Sequence, residues 1–177
     1  EAAQLDVRGR VLRDGDEEFE AARHIWNGMI DRRPSILVRA AGAADVVSAV
    51  HFAREENLPL AIRGGGHSAS GSSVSDGGLM LDLSLMKGIR VDPARRTARA
   101  QAGLTWAEFD AETQAFGLAT TGGVVSTTGI AGLTLGGGIG WLGRTHGLSC
   151  DNLRSVDIVT ADGQLRTASA DENADLF

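Results

Sequence analysis
The sequence predicts an α+β chain made of two small lobes, and three observations carry that prediction. Residues 35–63 read as strand, helix and strand, a βαβ unit from which a parallel pairing of the two strands is expected. Beyond residue 79 the apolar runs are instead separated by tight-turn signals such as Asp162-Gly163, the habit of antiparallel hairpins. Glycine is gathered into clusters at 64–66, 77–78, 122–123 and 136–143, which marks special backbone geometry, since disorder would spread it among polar filler. With 24 glycines in 177 residues the share is about twice the usual one, so these clusters need a reason. The expected organisation is a lead-in and helix over 1–33, a first lobe over 34–92 and a second over 93–177. Each lobe contributes one glycine-rich loop, and a ligand is expected between them.

Taken in order, residues 1–15 are mixed and read as a loose lead-in. Residues 16–30 place Phe19, Ala22, Ile25, Trp26 and Met29 at three- and four-residue spacing, the stripe of an amphipathic helix that Arg33-Pro34 ends. Residues 35–39 are a β-branched run. Residues 43–57 repeat an apolar stripe through Val46, Val47, Val50 and Ala53, with Asp45 in the first turn, so a helix is expected. Residues 60–63 form the next strand and run straight into the glycine triplet. Ser- and Gly-rich 68–78 is a loop. Strands follow at 79–83, 88–91 and 97–101, the last two joined by an Asp92-Pro93 turn. Thr105 and Glu108 have capping-box spacing for a helix to about 116, with Gly117 past its end. Short helical pieces are expected within 120–147, then a hairpin of 153–160 and 164–168. Acids at 171, 172 and 175 before Leu176 and Phe177 read as the opening turn of a further helix, which suggests a piece of a longer protein.

Composition removes several classes of function. The net charge is −6 and the basic residues form no stripe, which argues against a nucleic-acid partner. No run approaches the roughly 18 apolar residues of a membrane span, so no membrane partner is expected. The single cysteine, Cys150, cannot close an internal disulfide, and the compartment, cytoplasmic or secreted, stays open. His146 and Cys150 could be half of a metal site, but there is no second pair, and no metal is expected. Tyrosine is absent and Lys87 is the one lysine, so neither a phenol nor a lysine cluster is on offer as a base. There is no GxSxG elbow and no phosphate-binding GxxxxGK loop. Gly138 to Gly143 matches GxGxxG by letter, and Asp162 lies at a suitable distance. No strand enters that run, however, and Asp162 is better explained by its hairpin turn.

Two stretches remain. Arg63-Gly64-Gly65-Gly66-His67-Ser68 puts three glycines directly after a strand, where backbone N–H groups can crowd an anion because no Cβ blocks the approach. The bland alternative is a tight turn, but turns usually need fewer glycines. His67 is either structural or reactive, and the residues alone leave both open. Gly147-Leu148-Ser149-Cys150-Asp151-Asn152 sets the cysteine in a polar, turn-like context where a thiol is reachable, whereas a lone cysteine is more often a small buried hydrophobe.

Together with Ala22-Arg23, Trp26-Asn27, Leu81-Asp82-Leu83-Ser84, Gly103-Leu104-Thr105-Trp106 and the long run from Gly129 to Leu142, these stretches resemble the berberine bridge enzyme-like flavin oxidases. That family has the PCMH-type FAD-binding domain of the vanillyl-alcohol oxidase superfamily. The resemblance covers about residues 19–177 and its motifs are long and in order. It implies an α+β domain of two lobes with FAD between them, the flavin held bicovalently by His67 at the 8α-methyl and by Cys150 at C6. It further implies that Arg63, Gly64, Gly65, Gly66, Ser68, Ser126, Thr127, Thr128, Gly129, Gly132, Gly138 and Val159 belong to the cofactor site, with the pyrophosphate on N–H groups of 64–68 and 126–132. In this family such linkage goes with a more oxidising flavin. The activity implied is that of an oxidase taking hydride from a hydroxylated small molecule, such as a sugar, and passing electrons to O2. A dehydrogenase with another acceptor and a non-catalytic flavin-binding module are the competing readings. Relatives carry their catalytic base in a substrate domain that this chain lacks, so none is assigned, and His146 is expected to pack or to line the flavin.

Overall fold
The structure, a computed structural model, describes residues 5–177. The strands are β1 (Arg10–Leu12), β2 (Ile36–Arg39), β3 (Leu60–Arg63), β4 (Leu79–Asp82), β5 (Ile89–Asp92), β6 (Thr97–Ala100), β7 (Ser155–Val159) and β8 (Leu165–Ser169). The helices are α1 (Phe19–Arg23), α2 (Ala43–Glu55), α3 (Trp106–Gln114), α4 (Ile130–Leu135) and α5 (Gly143–His146), and a 3-10 turn covers Cys150–Asn152. The α+β class expected from the sequence is the class observed.

The chain forms two compact units. One holds the chain to Arg63, His67–Leu85 and Arg154–Phe177; the other holds Gly64–Gly66 and Met86–Leu153. These units are not the sequential lobes 34–92 and 93–177. β5 falls in the second unit, where, among the described residues, it pairs with β6 alone. The terminal hairpin belongs with the first because β7 packs on α2 and its Gly163 turn lies against the His51 ring.

In the first unit the sheet order is β1-β2-β4-β3. β2 and β3 are not neighbours: β4 enters between them and pairs parallel with both. Ile36, Leu37, Val38, Leu79, Met80 and Leu81 are all but inaccessible, as expected of central strands covered on both faces. Leu37 and Met80 share one face with Leu12, Phe19, Ala22, Ile25 and Val74. The pleat sends the alternate residues to the other face, and α2 packs against β4. Each such side chain contributes about 1.5–3 kcal/mol of burial.

Three expectations need correction here. The lead-in contains β1, which pairs antiparallel with β2 and sets Arg10 opposite Arg39. Glu18 relieves that like-charge pair by accepting from both, at 2.6 and 2.8 Å, and the two guanidiniums lower its pKa. The helix expected over 16–30 stops at Arg23, where His24 turns extended. Asn27 then builds a turn of its own, accepting from Ile30 N through its carbonyl and from Met29 N through its side chain, which leaves Trp26 and Met29 exposed. Residues 171–177 form turns, not a helix.

Asp45, in the first turn of α2, is buried and accepts from the backbone N–H groups of Arg8, Gly9 and Ala41 at 2.7–3.0 Å. Burial pushes its carboxyl up, but the three amides outweigh that and hold it below its ordinary value.

The second unit is built on the β5–β6 hairpin and on α3. Leu104, Trp106 and Ile130 form its core with Ile89, Ala100, Phe109 and Leu133 against them. Gly122 and Gly123 lie flat on the Trp106 indole, where a Cβ would come within 2.5–3.0 Å of the ring.

Candidate functional site
The last ladder bond of β3 runs from Leu83 N to Arg63 O, and the glycine triplet then leaves the sheet. Gly66 has φ +74°, a conformation side chains resist. A Cβ on Gly65 would stand 2.3 Å from the amide nitrogen of Gly129, and one on Gly129 would stand 2.3 Å from that of Gly65. The two backbones therefore touch, and no other residue fits either place. Among the described residues, the N–H groups of Gly64, Gly65 and Gly66 donate to no protein acceptor. The second segment is held by the start of α3. Trp106 N donates to Thr128 O (3.0 Å) and Ala107 N to Ser126 O (2.9 Å), so the loop satisfies donors that a helix start leaves over. The same start carries the expected capping box, Thr105 with Glu108, whose carboxylate also meets Lys87 at 2.6 Å. Ser126 and Thr127 are exposed, and Gly132, on α4, has open space where a Cβ would be.

In the first unit, the His67 ring lies against Trp26, centroids 5.6 Å apart and planes 17° from parallel. Ser68 Oγ accepts from Ser72 N and faces the hydroxyl of Ser72, both at 3.0 Å, which closes the loop on itself. The Arg63 guanidinium turns back to α1: Nη1 donates to Ala22 O at 2.6 Å, while Nε is buried without a partner. Val159 ends β7 opposite Leu165 and is half-buried.

In the second unit, Cys150 opens the 3-10 turn, half-buried, with its Sγ 3.8 Å from Asp151 Oδ1. Its position is set by the glycine run that precedes it. Cys150 N donates to Gly137 O (3.0 Å) and Ser149 N to Gly138 O (2.8 Å). Ser149, buried, donates its hydroxyl to Thr121 O, and Thr121 returns its own to Gly147 O, both at 2.9 Å. Gly138 has φ +82°, and a Cβ there would meet Ser149 Oγ at 2.4 Å, so its place in the structure is beneath the cysteine loop. Asp151 Oδ2 accepts from Leu148 N, and Asn152 donates to the carbonyls of His146 and Leu148. The His146 side chain is exposed.

The structure thus brings 64–66 together with 126–129, and Gly138 together with Cys150. Asp162 closes its hairpin turn, accepting from Thr160 Oγ1, Gln164 N and Arg166; these donors lower its pKa to about 2. Sequence reasoning missed the partnership of Trp26 with His67, because helical spacing assigned that indole to an apolar stripe. It also missed the Gly65–Gly129 contact, for which glycines so far apart in the chain give no local signal.

A profile of the FAD binding domain family matches residues 34–169. The chain is 38% identical over 176 residues to (R)-6-hydroxynicotine oxidase of Paenarthrobacter nicotinovorans, covering 99% of this chain and 38% of that protein. Its backbone is similar to the crystal structure of 6-hydroxy-D-nicotine oxidase from Arthrobacter nicotinovorans, with a TM-score of 0.96 at 37% identity over 99% of this chain and 39% of the other. It is also similar to xylooligosaccharide oxidase from Myceliophthora thermophila C1, with a TM-score of 0.91 at 29% identity over 96% and 36%. The chain spans well under half the length of each of these relatives.

Proposed function
Since the chain belongs to the FAD binding domain family, we propose that it is the flavin-holding part of an FAD-dependent oxidase that takes hydride from a hydroxylated small molecule. The observation that carries this reading is the side-chain-free contact of Gly65 with Gly129, flanked by the N–H groups of 64–66, which donate to no acceptor among the described residues. Such a surface fits a pyrophosphate, whose oxygens need several donors at close range. In this reading the site residues are Arg63 to Ser68, 126–129 with Gly132, Gly138, Cys150 and Val159. Arg63 and Gly138 act indirectly, the first by bracing the strand that feeds the glycines and the second by supporting the cysteine loop.

His67 and Cys150 are the two covalent anchors in this proposal. His67 bonds through a ring nitrogen to the 8α carbon, and Cys150 through Sγ to C6. The ring N–H and the S–H each lose a proton, a hydrogen leaves each carbon, and O2 takes up each electron pair with two protons as hydrogen peroxide. The bound FAD supplies the redox chemistry, accepting hydride from the substrate, while the protein supplies position and electrostatics. A sugar or similar alcohol as substrate, and O2 as acceptor, are supported by likeness to proteins named as oxidases of an oligosaccharide and of hydroxynicotine.

Mass spectrometry of the intact protein after acid denaturation tests the anchors. The expected result is one added FAD mass that survives His67→Ala and Cys150→Ala singly and is lost in the double variant. Retention in the double variant would overturn the assignment. Oxygen uptake with peroxide release, measured over a panel of sugars and other alcohols, tests the activity. Flavin reduction without oxygen uptake would assign a different acceptor, and no reduction by any compound would leave a binding module.

A further inference from the structure
We propose that Trp26 is a positioning residue for His67, the back wall of a strap that fixes the imidazole plane before flavin is attached. The inference rests on the reading of His67 as a flavin anchor. Trp26 is an indole left 67% exposed, in a segment that leaves the helical path immediately after α1. Burial therefore does not explain its place, whereas the near-parallel stack on His67 does.

The strap has four further attachments to the loop that follows His67. Asn27 Nδ2 donates to Ala69 O at 2.8 Å, and Arg32 Nη1 donates to Gly71 O at 2.8 Å and to Val74 O at 3.2 Å. Ile30 fills the space over Gly71, where a Cβ would lie 2.9 Å from its methyl carbon. Gly71 itself has φ +78°, so the loop is shaped to admit the strap. The backbone of 67–74 is thus tied down from one side, and the indole extends the same grip to the imidazole. A ring stacked on one face has fewer orientations open to it and spends more time aligned for bond formation.

The test uses the intact protein carrying Cys150→Ala, so that His67 is the anchor being read, prepared without flavin and incubated with FAD, with covalent incorporation followed by flavin fluorescence of the denatured chain. Trp26→Leu, which keeps an apolar side chain and loses the ring face, should slow incorporation at His67 by about tenfold or more, as for other losses of alignment. Trp26→Phe should restore a rate within about threefold of the parent, because a ring remains to stack. The His67 ring protons should move downfield in Trp26→Leu as the indole ring current is removed, a readout independent of flavin. Parent-like incorporation in Trp26→Leu, an unchanged His67 resonance, or equal slowing in both variants would overturn the proposal. His67→Ala in the same Cys150→Ala background is a separate arm: if it still incorporates flavin at the rate and stoichiometry of Cys150→Ala alone, the anchor reading itself fails, and the positioning role falls with it.

Discussion
Gly65 and Gly129 meet through their backbones, each leaving 2.3 Å between the other's amide nitrogen and the place where a Cβ would stand. Nothing in the chain between them fixes this contact locally. It arises because β3 delivers one glycine and the start of α3 holds the segment carrying the other.

Gly65→Ala and Gly129→Ala should therefore each force the two segments apart. The expected cost is about 1–3 kcal/mol of stability, with FAD affinity weakened by about tenfold or more. Gly132→Ala is the control for the fold. Its Cβ meets nothing within 4 Å, and in a helix alanine is favoured over glycine by up to about 1 kcal/mol. Thermal melts should show the first two variants lowered and the third unchanged or raised; equal melting of all three would remove the close-contact argument.

Gly138→Ala should loosen the cysteine loop. The substitution meets both a positive φ and a contact of 2.4 Å to Ser149 Oγ, and a loss of about 1–3 kcal/mol is expected. Cys150 is the chain's single thiol, so its reaction rate with a disulfide reagent reads the loop directly. In the flavin-free protein that rate should rise in Gly138→Ala, and also, more weakly, in Ser149→Ala, which loses the hydroxyl bond to Thr121 O. An unchanged rate in both would mean that the loop is set by something else.

Asp45→Ala should be among the costlier changes remote from the site, at about 2–4 kcal/mol, because three backbone amides lose a buried, charged acceptor. Its native pKa lies below the ordinary 3.8. Its contribution is thus complete above that value and is lost as the pH falls from there through the native one. The gap in melting temperature between parent and Asp45→Ala should be full at pH 7 and should narrow below about pH 4. A gap that is constant with pH would show that the carboxylate charge is not what matters.

Thr105→Ala removes half of the capping box on α3 and should cost about 1 kcal/mol. The same helix start receives the carbonyls of Ser126 and Thr128. FAD affinity should therefore fall along with stability, whereas a cap that matters only to the helix would move stability alone.

How much was legible in the sequence follows the range of the interactions involved. The strand into the glycine triplet, the Thr105–Glu108 cap, the Asp162-Gly163 turn and the α+β class were readable because each depends on neighbours a few residues apart. The run from Gly129 to Leu142 and the setting of Cys150 were readable as motifs. Where the signal was misread, a distant partner had overridden local pattern. Trp26 and Met29 kept helical spacing, but Asn27 and its bond to Ala69 drew that segment out of α1 and across the loop after His67. β1 was invisible because three residues of mixed character become a strand only when β2 offers an edge. The place of β4 between β2 and β3 is likewise a property of the assembled sheet. By itself the sequence determined the residue types able to approach a phosphate or bond a flavin, since those are matters of side-chain chemistry and missing Cβ atoms. Only the tertiary structure decided which glycine meets which, and which ring stands behind His67, because contacts across 41 to 64 residues of chain are selected by packing and not by local preference.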